Sequence, residues 1–180
     1  MSVNNTEMAE PRRVARGARL AIDVGMARVG VAISDPDGIL ASPVETLARD
    51  KSKNYRIGGK VPVQLPTDIA AIAATVEDRF VAVIYIGLPK HLSGQSGASS
   101  EMALTYAHLL GQVVPGVEIR MIDERMTTVT AHQALHASGR SSKKHRAVVD
   151  QVAAVVMLES ALNYEKQHGN RAGNSLAEFV

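Results

Sequence analysis

Three apolar runs follow one another between Arg19 and Val44: RLAIDV, VGVAIS and ILASPV, joined only by GMAR and DPDG. No other feature constrains the fold as much. A parallel return to a neighbouring strand needs a long crossover, so strands this close in sequence must pair antiparallel. DPDG is a strong turn signal. Within the first run, Asp23 stands among apolar residues with Gly25 just beyond it. An ionised carboxylate taken out of water is costly unless something pairs it. Either Asp23 begins a turn, with Gly25 supplying a positive backbone angle, or it is an acid held at a rigid strand end to bind a cation.

The remaining pattern alternates. TDIAAIAATVED (67–78) carries apolar residues at helical spacing, with Thr67 or Asp68 as a candidate cap. FVAVIYIG is a continuous β-branched run, as expected of a central strand buried on both faces. After the Gly- and Ser-rich GLPKHLSGQSG comes the helical SSEMALTYAHLLGQVV, stopped by Pro115-Gly116. VEIRMI is a fifth strand running into DER, TTVTAHQALHASG a helix ending at Gly139, and SSKKHRAVVDQVAAVVMLESALNY a last, deeply packed helix. Right-handed crossovers set the fourth and fifth strands parallel to the first. The expectation is an α/β fold, with a mixed five-stranded sheet and helices packed on it. Residues 1–18 and 165–180 are polar and are expected to be flexible, flanking a single domain over 19–164. Residues 49–66, RDKSKNYRIGGKVPVQLP, form a basic loop or an inserted hairpin.

The core has to be aliphatic, because the 180 residues include no Trp, two Phe and four Tyr. Cys is absent, which excludes disulfides and thiolate metal sites and fits a reducing cytoplasm. No stretch reads as a signal peptide or a membrane span. The net charge of +2 conceals clustering. Arg12, Arg13, Arg16 and Arg19, then Arg49, Lys51, Lys53, Arg56 and Lys60, then Arg140, Lys143, Lys144 and Arg146 hold 13 of the 20 Lys and Arg residues. Such clusters are either solvated loops or attractors of a phosphate backbone.

Few acids sit beside apolar elements: Asp23 ends the first strand, Asp123 and Glu124 end the fifth, and Asp150 interrupts the last helix. In the parallel arrangement these strand ends share one edge, with no base built into the strands to pair them. Like charges repel at such range unless a cation neutralises them. Magnesium binds through one or two carboxylates plus water and substrate phosphates, and two such ions can clamp the attacking and leaving oxygens of a phosphodiester displacement. For Asp150 the competing reading is an ion pair with Arg146, one turn earlier.

DVGMARVGVAISD, GLP at 87–89, DERMTTVTA at 123–131 and DQVAAVVMLESAL at 150–162 resemble the YqgF/RuvX family, from about Arg19 to Tyr164. The resemblance implies a ribonuclease H-like fold and a nuclease that processes the 5′ end of pre-16S ribosomal RNA, or else one that resolves Holliday junctions. It places the family's acids on Asp23, Glu124 (with Asp123 adjacent) and Asp150 as catalytic, metal-binding residues for Mg2+ or Mn2+. Lys51, Lys53, Arg56, Lys60, Arg125, Lys143 and Arg146 are the candidate nucleic-acid contacts. Met26 and Ala27 depart from the polar or basic residues of many members, HLSG replaces a more usual Asp-Gly turn, and the 51–66 loop is longer. The expected particle is a monomer or weak homodimer, cytoplasmic, bound to nucleic acid and not to membranes.

Rival readings are weaker. An Asp-x-Gly hairpin also opens actin-like kinases, but those need two such domains and the chain has room for one. A binding module without catalysis gains nothing from concentrated negative charge. His132 and His136 stand four apart, as zinc ligands can, without a third ligand. GQSG could cradle phosphate, though it lacks a Walker lysine pattern.

Overall fold

A computed structural model describes residues 14–89, 97–124 and 143–179, with the backbone alone described for 143–149. Strands β1 (Ala18–Val24), β2 (Arg28–Ser34) and β3 (Ala41–Ala48) come first. Helix α1 (Thr67–Asp78), β4 (Val81–Leu88), α2 (Ala98–Val113) and β5 (Glu118–Asp123) follow, then α3 (Lys143–His168), β6 (Asn174–Ser175) and a 3-10 turn (Leu176–Phe179). The helix expected over 127–139 lies outside the described residues.

The sheet order is β3-β2-β1-β4-β5-β6. β1, β2 and β3 form the antiparallel meander that their short connections require, and β1, β4 and β5 are mutually parallel. The sixth strand is a difference from the sequence reading. The segment after Tyr164 carries regular structure. α3 continues to His168, and β6 pairs antiparallel with β5 through Arg120 and Met121. Its anchor is polar: Glu165, 5% exposed, accepts from Arg19 Nε and Nη2 at 3.0 and 2.8 Å, from Arg171 Nη1 at 2.9 Å and from the Tyr85 hydroxyl. Arg19 is thereby buried in an ion pair and Arg16 is paired to Asp37, so neither of these expected cluster members is an unengaged charge.

Alternation along the strands makes two apolar layers. Leu20, Ile22, Val29, Ile84, Ile86 and Met121 meet α1 and α2 on one face. Ala21, Ala32, Val83, Tyr85 and Ile122 meet Ala154, Met157, Leu158 and Ala161 of α3 on the other. This second layer is built from small residues, so α3 lies close. The closest point is Gly30, where a Cβ would stand 2.2 Å from the backbone oxygen of Asp150.

α1 is not capped by its own Thr67 or Asp68. The Thr67 N–H donates to Asp50 Oδ2 at 2.8 Å, an acid from the preceding loop, while Asp68 is buried. Residues 49–66 contain no strand, so the loop reading holds over the hairpin.

Candidate active site

Because β1, β4 and β5 run the same way, their C-terminal ends share an edge of the sheet. Register then sorts the acids by face. Asp23 lies two residues beyond Ala21, which packs under α3, and opposite Gly30 in the ladder. Glu124 lies two beyond Ile122, also under α3. A Cβ at Gly87 would stand 2.8 Å from Glu124 Oε1 and 3.4 Å from Met157 Sδ of α3, so the glycine leaves room for this carboxylate over β4. Asp150 enters from α3 itself. These three acids share one face of the sheet. Asp123 follows the parity of Met121, which belongs to the layer beneath α1 and α2. Of the two adjacent acids, the strand geometry therefore sets Glu124 beside Asp23.

The electrostatics follow from this crowding. Burial, and then the charge of Asp150, push Asp23 up to about 6. Burial, then Asp23, then Asp123 push Glu124 up to about 7. For both acids the loss of water is the largest influence. A pair of carboxyls poised between charged and neutral near neutral pH is what converging acids produce.

Asp150 differs. Arg28 Nε donates to its Oδ2 at 2.8 Å, both side chains being about a third exposed (33% and 29%). One expectation is corrected here: a base is built into a strand beside the acids. Asp150 has a partner on β2, and the expected pairing with Arg146 falls on a side chain outside the described residues. Arg28 is two residues from Gly30, so it stands on the face that α3 covers. Gly25 also behaves differently from the turn reading. It has no positive backbone angle; its N–H donates to the Arg28 carbonyl at 2.8 Å, and a Cβ would meet that same oxygen at 2.8 Å.

Among the described residues no group of three or more His, Asp or Glu side chains stands ready to hold a metal ion. Asp23 and Glu124 nevertheless supply an all-oxygen donor pair whose charge is suppressed by burial first and by neighbouring acids second, and Mg2+ uses one or two carboxylates with water filling its remaining positions. The residues present fit such an ion; Arg28 keeps one oxygen of Asp150 engaged.

The basic loop starts at this edge. The Arg49 N–H donates to the Ala27 carbonyl at 3.0 Å and its Nη1 to the Gly25 carbonyl at 3.2 Å, in the turn after Asp23. Lys51, Arg56 and Lys60 are exposed and Lys53 is half-buried. Arg125, His132 and His136 lie outside the described residues, as do the side chains of Lys143 and Arg146.

Sequence reasoning missed Arg28, Gly30, Gly87 and the Glu165 cluster. A glycine inside a strand pattern signals a close backbone approach, and that signal was present at both Gly30 and Gly87.

Residues 17–164 match the family model described as "RuvX: Holliday junction resolvase". The chain belongs to the RuvX family. Its relatives within the curated proteins include one from Kineococcus radiotolerans, 45% identical over 161 residues and covering 89% of this chain and 79% of that protein. Another, from Streptomyces coelicolor, is 40% identical over 181 residues and spans the whole of both. Both carry the description "Putative pre-16S rRNA nuclease". Among solved structures, T. thermophilus RuvC in complex with a Holliday junction substrate superposes with a TM-score of 0.52 at 10% identity, over 86% of this chain and 98% of that one. That likeness establishes the ribonuclease H-like fold of this RuvX member and nothing finer. No helix among the described residues is long and apolar enough to cross a membrane.

Proposed function

We propose that this RuvX-family chain is a nuclease that hydrolyses phosphodiester bonds of pre-16S ribosomal RNA, at its 5′ end, with Mg2+ or Mn2+ as cofactor. Asp23, Glu124 and Asp150 form its catalytic centre. The observation that carries the reading is the pair Asp23 and Glu124, half-buried on one face and pushed toward neutrality. A fold gains nothing from such a pair; a divalent cation gains two hard oxygen ligands from it. When bound, the ion activates water and stabilises charge developing on the phosphate. Asp23 and Glu124 would hold it directly. Asp150 would contribute from α3 through the oxygen that Arg28 does not engage. The exposed bases of the 51–60 segment, with Arg125, Lys143 and Arg146, would bear on the flanking phosphates.

The description of the family model favours a second reading, in which the substrate is branched DNA. A resolvase cuts two strands symmetrically and so calls for a two-fold dimer, whereas the RNA reading needs only a monomer or weak homodimer.

The test offers the protein a pre-ribosomal RNA end and a four-way DNA junction, each with and without Mg2+. The expected result is Mg2+-dependent cleavage of the RNA, lost in a folded Asp23→Asn variant. Undiminished cleavage by that variant removes Asp23 from the centre, and preferential cutting of the junction replaces the RNA reading with the second one.

A further inference from the structure

Two arginines of this fold show how a structural guanidinium is used. Arg19 engages every nitrogen: Nε and Nη2 donate to Glu165, and Nη1 donates to the carbonyls of Gly17 and Pro36. Arg120 does the same, with Nε on the Ala172 carbonyl, Nη2 on the Gly173 carbonyl and Nη1 on Glu118. Arg28 is employed differently. Only its Nε is engaged, side-on to Asp150 Oδ2 at 2.8 Å. Nη1 and Nη2 have no partner among the described residues and stay open to water, the side chain being 33% exposed.

The group is nevertheless held in place. Arg28 opens β2, and the Gly25 N–H donates to its carbonyl at 2.8 Å across the turn that follows Asp23. Arg49 braces that turn from the end of β3, through its N–H to the Ala27 carbonyl at 3.0 Å and its Nη1 to the Gly25 carbonyl at 3.2 Å. Asp150 pins the guanidinium along its inner side. The guanidinium therefore lies on the face that carries Asp23, Glu124 and Asp150, with its outer edge turned to solvent.

An ion pair exposed to this degree adds little to stability, so stability does not account for an arginine at this point of the sheet. Two parallel N–H donors left over on a planar group match the two non-bridging oxygens of a phosphodiester. We propose that Arg28 grips the phosphate of the bond that is cut, with Nη1 and Nη2 on its non-bridging oxygens and Asp150 orienting the group through Nε. In hydrolysis, water gives its OH to phosphorus and its remaining proton to the leaving oxygen as the P–O ester bond breaks. Negative charge gathers on the non-bridging oxygens on the way, and a guanidinium fixed there favours the transition state over the bound substrate. The inference rests on the nuclease reading and deepens it, adding a substrate-contacting cation to a centre otherwise made of acids.

The test begins with the whole chain without metal. A short oligouridylate is the probe, and inorganic phosphate at the same phosphate concentration is the control. Side-chain nitrogen NMR, assigned through Arg28→Lys, should show the oligonucleotide moving the Arg28 Nη signals while the Nε signal, held by Asp150, moves less. Inorganic phosphate should leave both in place. Arg28→Ala should bind the oligonucleotide about tenfold more weakly, as expected when hydrogen bonds to a charged group are lost. It should also lower the salt slope by roughly 0.7, the loss of one contact on a single strand. Arg28→Lys should restore the slope and only part of the affinity, because lysine brings the charge without the fork. With Mg2+ and a saturating pre-ribosomal RNA end, Arg28→Ala should cut at least about a hundredfold more slowly, as when a donor to transition-state charge is removed. Should a variant not fold, the wild-type Nη signals still decide. Nη signals indifferent to the oligonucleotide, or a salt slope unchanged in Arg28→Ala, overturn the inference and leave the nuclease reading. A lowered slope with an unchanged cleavage rate also overturns it, by moving Arg28 to a flanking phosphate. Nη signals that respond in a wild-type chain that cuts nothing remove the nuclease reading and leave Arg28 as a phosphate contact alone.

Discussion

The two ends of α3 both meet the sheet through carboxylates, with opposite outcomes. Near its C-terminus, burial alone would raise the Glu165 carboxyl, but the hydrogen bonds from Tyr85, Arg171 and Arg19 outweigh it and hold the acid below its ordinary value. Near its N-terminus, burial and neighbouring acids prevail, and Asp23 and Glu124 are raised. Burial is common to both ends; what differs is whether it is outweighed, as it is at Glu165, or prevails, as it does at Asp23 and Glu124. A saturated acid ties elements together. An acid pair that the fold leaves partly protonated is available to a ligand that brings positive charge. Asp150 stands between these extremes, beside the raised acids yet paired to Arg28.

The comparison can be broken most severely at its saturated end. Glu165→Ala leaves Arg19 buried without its partner, and removing one side of a buried pair costs about 3–5 kcal/mol. Denaturant unfolding should show a loss of that order; a loss below about 1 kcal/mol would mean that Glu165 does not anchor the end of the chain. The next effect lies where α3 approaches the sheet. Gly30→Ala puts a Cβ against the Asp150 backbone. It should cost about 1–3 kcal/mol, as other overpacking does, and should reduce cleavage beyond what lost stability explains, because Asp150 moves with the helix. Normal activity and stability in that variant would show that the close approach does not position the site. Arg28→Ala should have the smallest effect on stability, below about 1 kcal/mol, since the pair is part-exposed. A larger loss, measured in the same unfolding series, would make this pair structural like that of Glu165 and weaken the contrast.

Much of this was legible in the sequence. The meander followed from connectors too short for a crossover, and the parallel strands from apolar runs separated by helices. The convergence of Asp23, Glu124 and Asp150 at one edge followed from that topology. Choosing Glu124 over Asp123 required the register, because which of two adjacent residues faces α3 depends on where β5 stops. The partner of Asp150 was illegible for a different reason. Arg28 is 122 residues away and meets Asp150 only after α3 docks. The last residues look like a polar tail because the apolar content that defines a core is low there; their attachment is the Glu165 ion-pair cluster and a two-residue strand, neither of which has a periodic signature.

The proposed role of Asp23 and Glu124 as a charge-suppressed pair that takes a cation is tested most directly by a site-resolved carboxyl titration. Raised carboxyls bind protons more tightly in the folded chain than in the unfolded one. They favour the fold at pH values below their ordinary 3.8 and 4.5, and that contribution is lost as pH rises through about 6 and 7. Glu165 acts the other way, its contribution being present above its ordinary value of 4.5 and lost as pH falls. Carbon-detected NMR of the metal-free protein should find the pair titrating with apparent values of about 6 and 7. Adding Mg2+ should draw both downward and restore stability most at the alkaline end of the range. Carboxyls that titrate near 3.8 and 4.5 without metal, or that do not respond to Mg2+, would contradict the account.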